Sequence, residues 1–131
     1  LAKQSKAMEE TSLFKLVEEM ASMTYTAYEY LNEYELDSFG DLLDQSWMLK
    51  KQITKGISDS TFDDIYDTAK KNGALGGKLL GAGGGGYFLF YVPEEHQEKV
   101  ANSISLQQMD FNINAEGAEI VYDSQTGVFY E

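Results

Sequence analysis

Eight of the fourteen residues from Gly73 to Gly86 are glycine, and five of them crowd into Gly81-Ala82-Gly83-Gly84-Gly85-Gly86. Glycine loses more backbone freedom on folding than any other residue. A packed domain therefore keeps such a run only where the chain needs positive φ or where another group must come close to bare backbone. A loop of exposed N–H groups also makes a concave anion site suited to phosphate oxygens. The plain alternative is a turn between two strands or a bulged sheet edge. An ordinary hairpin needs only two special residues, however, and this run supplies many more.

The run divides a helical half from a strand-rich half. From Met8 to Tyr34, Leu13, Leu16, Val17, Met20, Ala27, Leu31 and Tyr34 fall at steps of three and four, which predicts one long amphipathic helix. Asp37 or Ser38 can cap a second helix carrying Phe39, Leu42, Leu43, Leu49 and Ile53 and closing near Gly56. A third starts in Ser58-Asp59-Ser60, buries Phe62, Ile65, Tyr66 and Ala69, and stops at Asn72-Gly73. Leu75 to Leu80 is a short strand, and the continuous apolar run Tyr87 to Val92 predicts a strand covered on both faces. Pro93-Glu94-Glu95 starts a helix that runs to about Ser103 and packs through Val100 and Ile104. Met109, Phe111 and Ile113 alternate with polar residues, as do Ala118, Ile120 and Tyr122, with Glu116-Gly117 as the hairpin turn between them. Thr126-Gly127 is a further turn, and Val128 to Tyr130 a last short strand. This order predicts an α+β domain: one mostly antiparallel sheet with helices packed on one face.

Composition removes most competing chemistries. The 131 residues suit a single domain with a core of its own. The absence of Cys excludes disulfides, thiolate metal sites and Cys nucleophiles, and the lone His96 excludes a histidine cluster. Ten basic residues against 22 acidic ones give a net charge of −12, which argues against gripping nucleic acid or anionic lipid. No stretch approaches the roughly 20 apolar residues that span a bilayer, so the expected location is the cytoplasm. The start at Leu1-Ala2-Lys3, without Met, suggests a part of something longer.

Among phosphate loops, Gly81 to Gly86 matches G-x-G-x-x-G in form, but a dinucleotide-binding fingerprint opens a helix, and here a strand follows. No Gly-Lys-Ser/Thr ends the run, so it is not a Walker A loop, and the chain has no His-Arg-Asp or Asp-Phe-Gly element of a protein kinase. The segment Lys78-Leu79-Leu80-Gly81-Ala82-Gly83-Gly84-Gly85-Gly86-Tyr87 instead resembles the third motif of the GHMP kinase superfamily, which includes galactokinase, homoserine kinase and mevalonate kinase. Ser38-Phe39-Gly40-Asp41-Leu42-Leu43, Trp47-Met48-Leu49-Lys50-Lys51, Asp64-Ile65-Tyr66 and Gly73 to Lys78 resemble the branch acting on D-glycero-D-manno-heptose 7-phosphate. The likeness runs from about Glu10 to Asp123.

The resemblance implies a ferredoxin-like C-terminal domain, over residues 1–131, of an ATP- and Mg²⁺-dependent sugar kinase. The superfamily's first two motifs, its acidic catalytic residue and its Mg²⁺-binding residue belong to an N-terminal domain and have no counterpart here. It therefore implies no catalytic or metal-binding residue in this chain, with ATP and Mg²⁺ held mainly by that other domain. What remains for this chain is one wall of an interdomain cleft, with Gly81, Ala82, Gly83, Gly84, Gly85 and Gly86 facing phosphates and the acceptor. The expected partners are a sugar phosphate, the N-terminal domain and, through an apolar face near the loop, a second copy of the chain. A reading from a different class is a non-catalytic α+β module that holds a phosphorylated effector on the same loop.

Lys50 and Lys51, beside Trp47, are candidates for the sugar's 7-phosphate; equally, lysines in a last helical turn suit the helix dipole. Lys78 enters the loop and is either a further phosphate contact or a solvated strand lysine. His96 reads as a surface residue, and Glu9, Glu10, Glu18, Glu19, Glu29, Glu33 and Glu35 as a solvated helix face rather than a metal cluster.

Replacing Gly83 or Gly84 by Val in the kinase that carries this domain is expected to abolish turnover and leave the fold intact. Backbone strain costs on the order of 1–3 kcal/mol, whereas losing a preorganised donor costs about a hundredfold or more in rate. A fall in Tm with unchanged activity per folded molecule would assign the glycines to the turn alone.

Overall fold

The computed structural model describes residues 2–54, 60–81, 86–113, 122–123 and 128–129, with side chains for 10–54, 60–81 and 86–113. Its elements in chain order are α1 (Ala2–Asn32), α2 (Leu36–Ile53), α3 (Ser60–Asn72), β1 (Gly76–Leu80), β2 (Tyr87–Tyr91), α4 (Glu94–Ser103), β3 (Tyr122–Asp123) and β4 (Val128–Phe129). Two residues past α1, Tyr34 takes a left-handed φ of 60°, and the Glu35 N–H donates back to the Tyr30 carbonyl at 2.9 Å. The chain reverses there and α2 packs along α1.

The long helix buries little. Leu16, Met20, Met23, Ala27 and Tyr30 form a half-buried seam, and Met20, Met23 and Tyr30 share hollows with residues of α2. Of the apolar stripe expected in the core, Leu13, Val17, Leu31 and Tyr34 are exposed, together with Phe14, Tyr25 and Tyr28. A single neighbouring helix covers only a narrow strip of a helical cylinder, so a wider apolar arc stays outside it.

The core is built by α2, α3, β1, β2 and α4. Trp47, Tyr66 and Leu79 are buried together, with Phe62, Phe88 and Phe90 packed against them. Tyr66 lies 6.2 Å from Trp47 and 5.6 Å from Phe90 between ring centroids, and Phe88 stacks on Phe90 at 5.4 Å. Ala69, Ala74 and Val100 make a second cluster, joined to the first through Phe90 and bordered by Val92 and Ile104. The alternation of β1, with Leu79 buried between the exposed Lys78 and Leu80, gives the strand one inner face and one outer face. β2 is half-buried from Phe88 to Tyr91, not covered on both faces as its composition suggests.

Polar ties lock these layers. The Tyr66 hydroxyl donates to Asp44 Oδ1 at 2.6 Å, joining α3 to α2. Lys70 Nζ lies 3.3 Å from the other Asp44 oxygen and donates to the Leu75 carbonyl at 2.6 Å, just ahead of β1. The Tyr91 hydroxyl donates to Asp37 Oδ1 at 3.0 Å. With that carboxylate engaged by β2, α2 starts at Leu36 with Glu35 as its N-cap and no side-chain cap, instead of at a capping Asp37 or Ser38.

The architecture is α+β, with β1 and β2 paired antiparallel from Gly76↔Tyr91 to Leu80↔Tyr87. Among the described residues the strands form two antiparallel ribbons, the second pairing β3 with β4 through Tyr122↔Phe129 and Asp123↔Val128. Residues 105–113 form no strand, and Leu106, Met109, Phe111 and Ile113 are exposed. The expected pairing segment from Ala118 to Ile120 lies outside the described residues. The expected turn at Glu116-Gly117 and the helix end near Gly56 lie outside the described residues.

Burial, the bond to Asp44 and that carboxylate's charge together push the Tyr66 phenol far above its ordinary value near 10. A raised folded value means stability that is whole below about pH 10 and declines as the pH rises beyond it. Urea unfolding between pH 8 and 11 is expected to show this decline. Tyr66→Phe is expected to weaken it and to cost about 1–3 kcal/mol at neutral pH, since Asp44 loses a buried donor.

Candidate functional site

The β1–β2 ladder closes at Leu80↔Tyr87, so Gly81 to Gly86 form a six-residue connection, longer than a minimal hairpin requires. Gly81 and Gly86, its two ends, have φ of 120° and 134°. A Cβ on Gly86 would fall on the Leu80 carbonyl oxygen, so both geometry and space demand glycine there. Ala82, Gly83, Gly84 and Gly85 lie outside the described residues.

Beside this connection the inner end of β1 meets the last turns of α2. A hollow of about 310 Å³ is lined by Met20, Ser46, Trp47, Lys50, Lys78, Leu79, Leu80 and Gly81. Two of the three candidate lysines thus share a wall with the start of the loop, although 28 positions separate them in sequence. Neither Lys50 nor Lys78 forms an ion pair among the described residues, and no carboxylate lines the hollow. Lys51 is not among its lining residues. One residue on, and so about 100° around the helix, its Nζ pairs with Asp63 of α3 at 2.6 Å. It is a tie between two helices, and this is where the structure departs from the grouping of Lys50 with Lys51.

Trp47 is 3% exposed, and its Nε1 is the one buried side-chain polar atom without a partner among the described residues. Ser46 and Met20 were not foreseen as lining residues. The available signal was the spacing Ser46, Trp47, Lys50 on one side of α2. A second hollow, of about 420 Å³, lies between α1 and α2 and is lined by Ser22, Thr26, Ser38 and Gln45 with Glu19 and Asp41. No motif announced it. His96 is exposed, as expected, and its side chain stands where a Cβ on Gly73 would sit.

The profile described as GHMP kinases C terminal matches residues 6–109. The chain belongs to this family. It is 31% identical over 94 residues to the D-glycero-alpha-D-manno-heptose 7-phosphate kinase of Campylobacter jejuni, covering 70% of this chain and 28% of that protein. It is 30% identical over 95 residues to the mevalonate kinase of Thermococcus sibiricus, 72% of this chain and 27% of the other. With the bifunctional fucokinase/GDP-fucose pyrophosphorylase of Arabidopsis thaliana the identity is 23% over 101 residues, 77% of this chain and 10% of the relative. The chain thus spans less than a third of the length of each of these relatives.

GHMP kinases use ATP and Mg²⁺. Among the described residues of this domain, no group of three His, Asp or Glu side chains comes together as a candidate metal site. The hollow brings two ammonium groups and a serine hydroxyl beside the start of the glycine connection, with Met20, Leu79 and Leu80 as its apolar lining. No helix of the described residues is long and apolar enough to cross a membrane.

Gly86→Ala is expected to lower stability by on the order of 1–3 kcal/mol through positive-φ strain and collision with Leu80. A thermal melt should register this as a drop of several degrees. An unchanged Tm would mean that the loop end relaxes freely.

Proposed function

We propose that this domain serves an ATP-dependent sugar kinase that phosphorylates the anomeric hydroxyl of D-glycero-D-manno-heptose 7-phosphate in the cytoplasm. The observation that carries the reading is that Lys50 and Lys78, neither with a carboxylate partner among the described residues, line one hollow beside the start of the glycine connection. The likeness to a heptose 7-phosphate kinase supports it. The partner it needs is an N-terminal domain carrying the ATP, the Mg²⁺ and the acid that assists the acceptor.

In that reaction the acceptor's anomeric oxygen forms a bond to the γ-phosphorus, the bond from that phosphorus to the bridging oxygen of ADP breaks, and the hydroxyl proton leaves to a base outside this chain. ATP supplies the phosphoryl group and Mg²⁺ offsets its charge. This domain's share is to hold the acceptor in line and to present fixed donors to the developing charge, the main sources of rate in phosphoryl transfer. Gly81 and Gly86, both at positive φ, set the two ends of the connection.

A second reading, a kinase for mevalonate or a related alcohol, draws on the 30% identity to the Thermococcus enzyme. The full-length protein decides between them when it is offered heptose 7-phosphate, fucose and mevalonate in turn with ATP. ADP release is expected with heptose 7-phosphate, and a preference for mevalonate would overturn the heptose reading. The 131-residue chain alone is expected to fold and to release no ADP with any of the three. Turnover by that chain above a heat-killed control would show that the catalytic groups lie within it.

A further inference from the structure

We infer that the hollow between α2 and the end of β1 is a phosphate-monoester subsite, in which Lys50 and Lys78 hold the phosphate that the sugar already carries, not the one being transferred. This deepens the sugar-kinase reading and rests on it only for the identity of the sugar.

The lining is selective in chemical type. Among its polar side chains the Lys50 and Lys78 ammonium groups donate and do not accept, and the Ser46 hydroxyl does both, beside the apolar Met20, Leu79 and Leu80. The charged side chains of the hollow are thus donors only, and a ligand group that accepts suits them: a phosphate monoester with three terminal oxygens. Charge points the same way. In a chain of net charge −12, Lys51 and Lys70 are neutralised by Asp63 and Asp44, while Lys50 and Lys78 converge on one hollow without an acid in its lining. Two like charges brought together repel unless an anion sits between them. Lys50 lies in the last turn of α2, where the helix dipole contributes about half a negative charge, so one lysine would be largely spent on the helix and two are needed to draw a dianion. The volume of about 310 Å³ is at the small end of ligand sites and accommodates a phosphate with part of a sugar. Lys78, Leu80 and Gly81 in its lining are exposed, so the hollow is open to solvent on that side.

The test uses a built-in reporter, because Trp47 is the only tryptophan in the chain. Its indole N–H resonance in the 131-residue protein is followed while D-mannose 6-phosphate, D-mannose, inorganic phosphate and ADP are added in turn. Mannose 6-phosphate is expected to shift the resonance saturably, inorganic phosphate more weakly, and mannose not at all. Lys50→Gln and Lys78→Gln are each expected to weaken binding about tenfold, the loss of one hydrogen bond to a charged group, while Lys99→Gln, exposed on α4, leaves it unchanged. Affinity in the unmodified protein is expected to fall with added NaCl, which keeps the inference testable if a lysine variant misfolds. No shift at tens of millimolar mannose 6-phosphate, an equal response to mannose, or tighter binding of ADP would each overturn it. Failure here with heptose 7-phosphate turnover intact removes the subsite and leaves the enzyme reading. Binding here with turnover of a different acceptor removes the heptose and leaves the subsite.

Discussion

The rest of the domain depends on Asp44. One carboxylate oxygen accepts from the Tyr66 hydroxyl and the other lies beside Lys70, whose ammonium also holds the Leu75 carbonyl. The backbone of the same residue approaches Gly76 so closely that a Cβ there would stand 2.6 Å from the Asp44 nitrogen and collide with the Gly40 carbonyl. One residue of α2 thus fixes α3 and the entry to β1 at once. A carboxylate beside a buried phenol and an ammonium is stabilised by charge-assisted bonds, and a strand that lies directly on a helix backbone cannot slide.

Where β1 lies decides what its two ends can do. Gly76 and Gly77 press it against α2 and β2, with Gly77 facing Leu89 and Phe90. Leu79 anchors it in the aromatic cluster under Trp47 and Tyr66, and Lys78 and Leu80 are left facing outward. At the far end Gly81 has positive φ, and Lys78 and Lys50 line the same hollow. The glycines from 73 to 86 therefore do more than one job. Gly76 and Gly77 permit close packing, whereas Gly73, Gly81 and Gly86 take a backbone conformation that other residues rarely adopt.

Much of this was legible in the amino-acid pattern. The three N-terminal helices, the strand entering the glycine run, the strand leaving it and the helix after Pro93 all follow from local signals: spacing of apolar residues, a proline with two acids, and a β-rich apolar stretch. The last strand was legible too, over Val128–Phe129. What failed were readings that assume a partner. The Leu13, Val17, Leu31 and Tyr34 stripe expected a core that one helix does not supply, and Met109, Phe111 and Ile113 expected a neighbouring strand. The candidate site was half legible: lysines near a glycine loop could be read as phosphate ligands, but not which of two adjacent lysines belongs with Lys78.

By itself, then, the order of residues determined the elements, the glycine connection and the family, because helix and strand periodicity and the need for glycine at positive φ are properties of neighbouring residues. Only the tertiary structure decided that Lys51 is spent on Asp63 while Lys50 lines the same hollow as Lys78. The physical reason is the helix itself. A step of one residue turns a side chain by about 100°, and which direction is occupied by an acid depends on where α3 and β1 come to rest, a matter of packing between segments far apart in the chain.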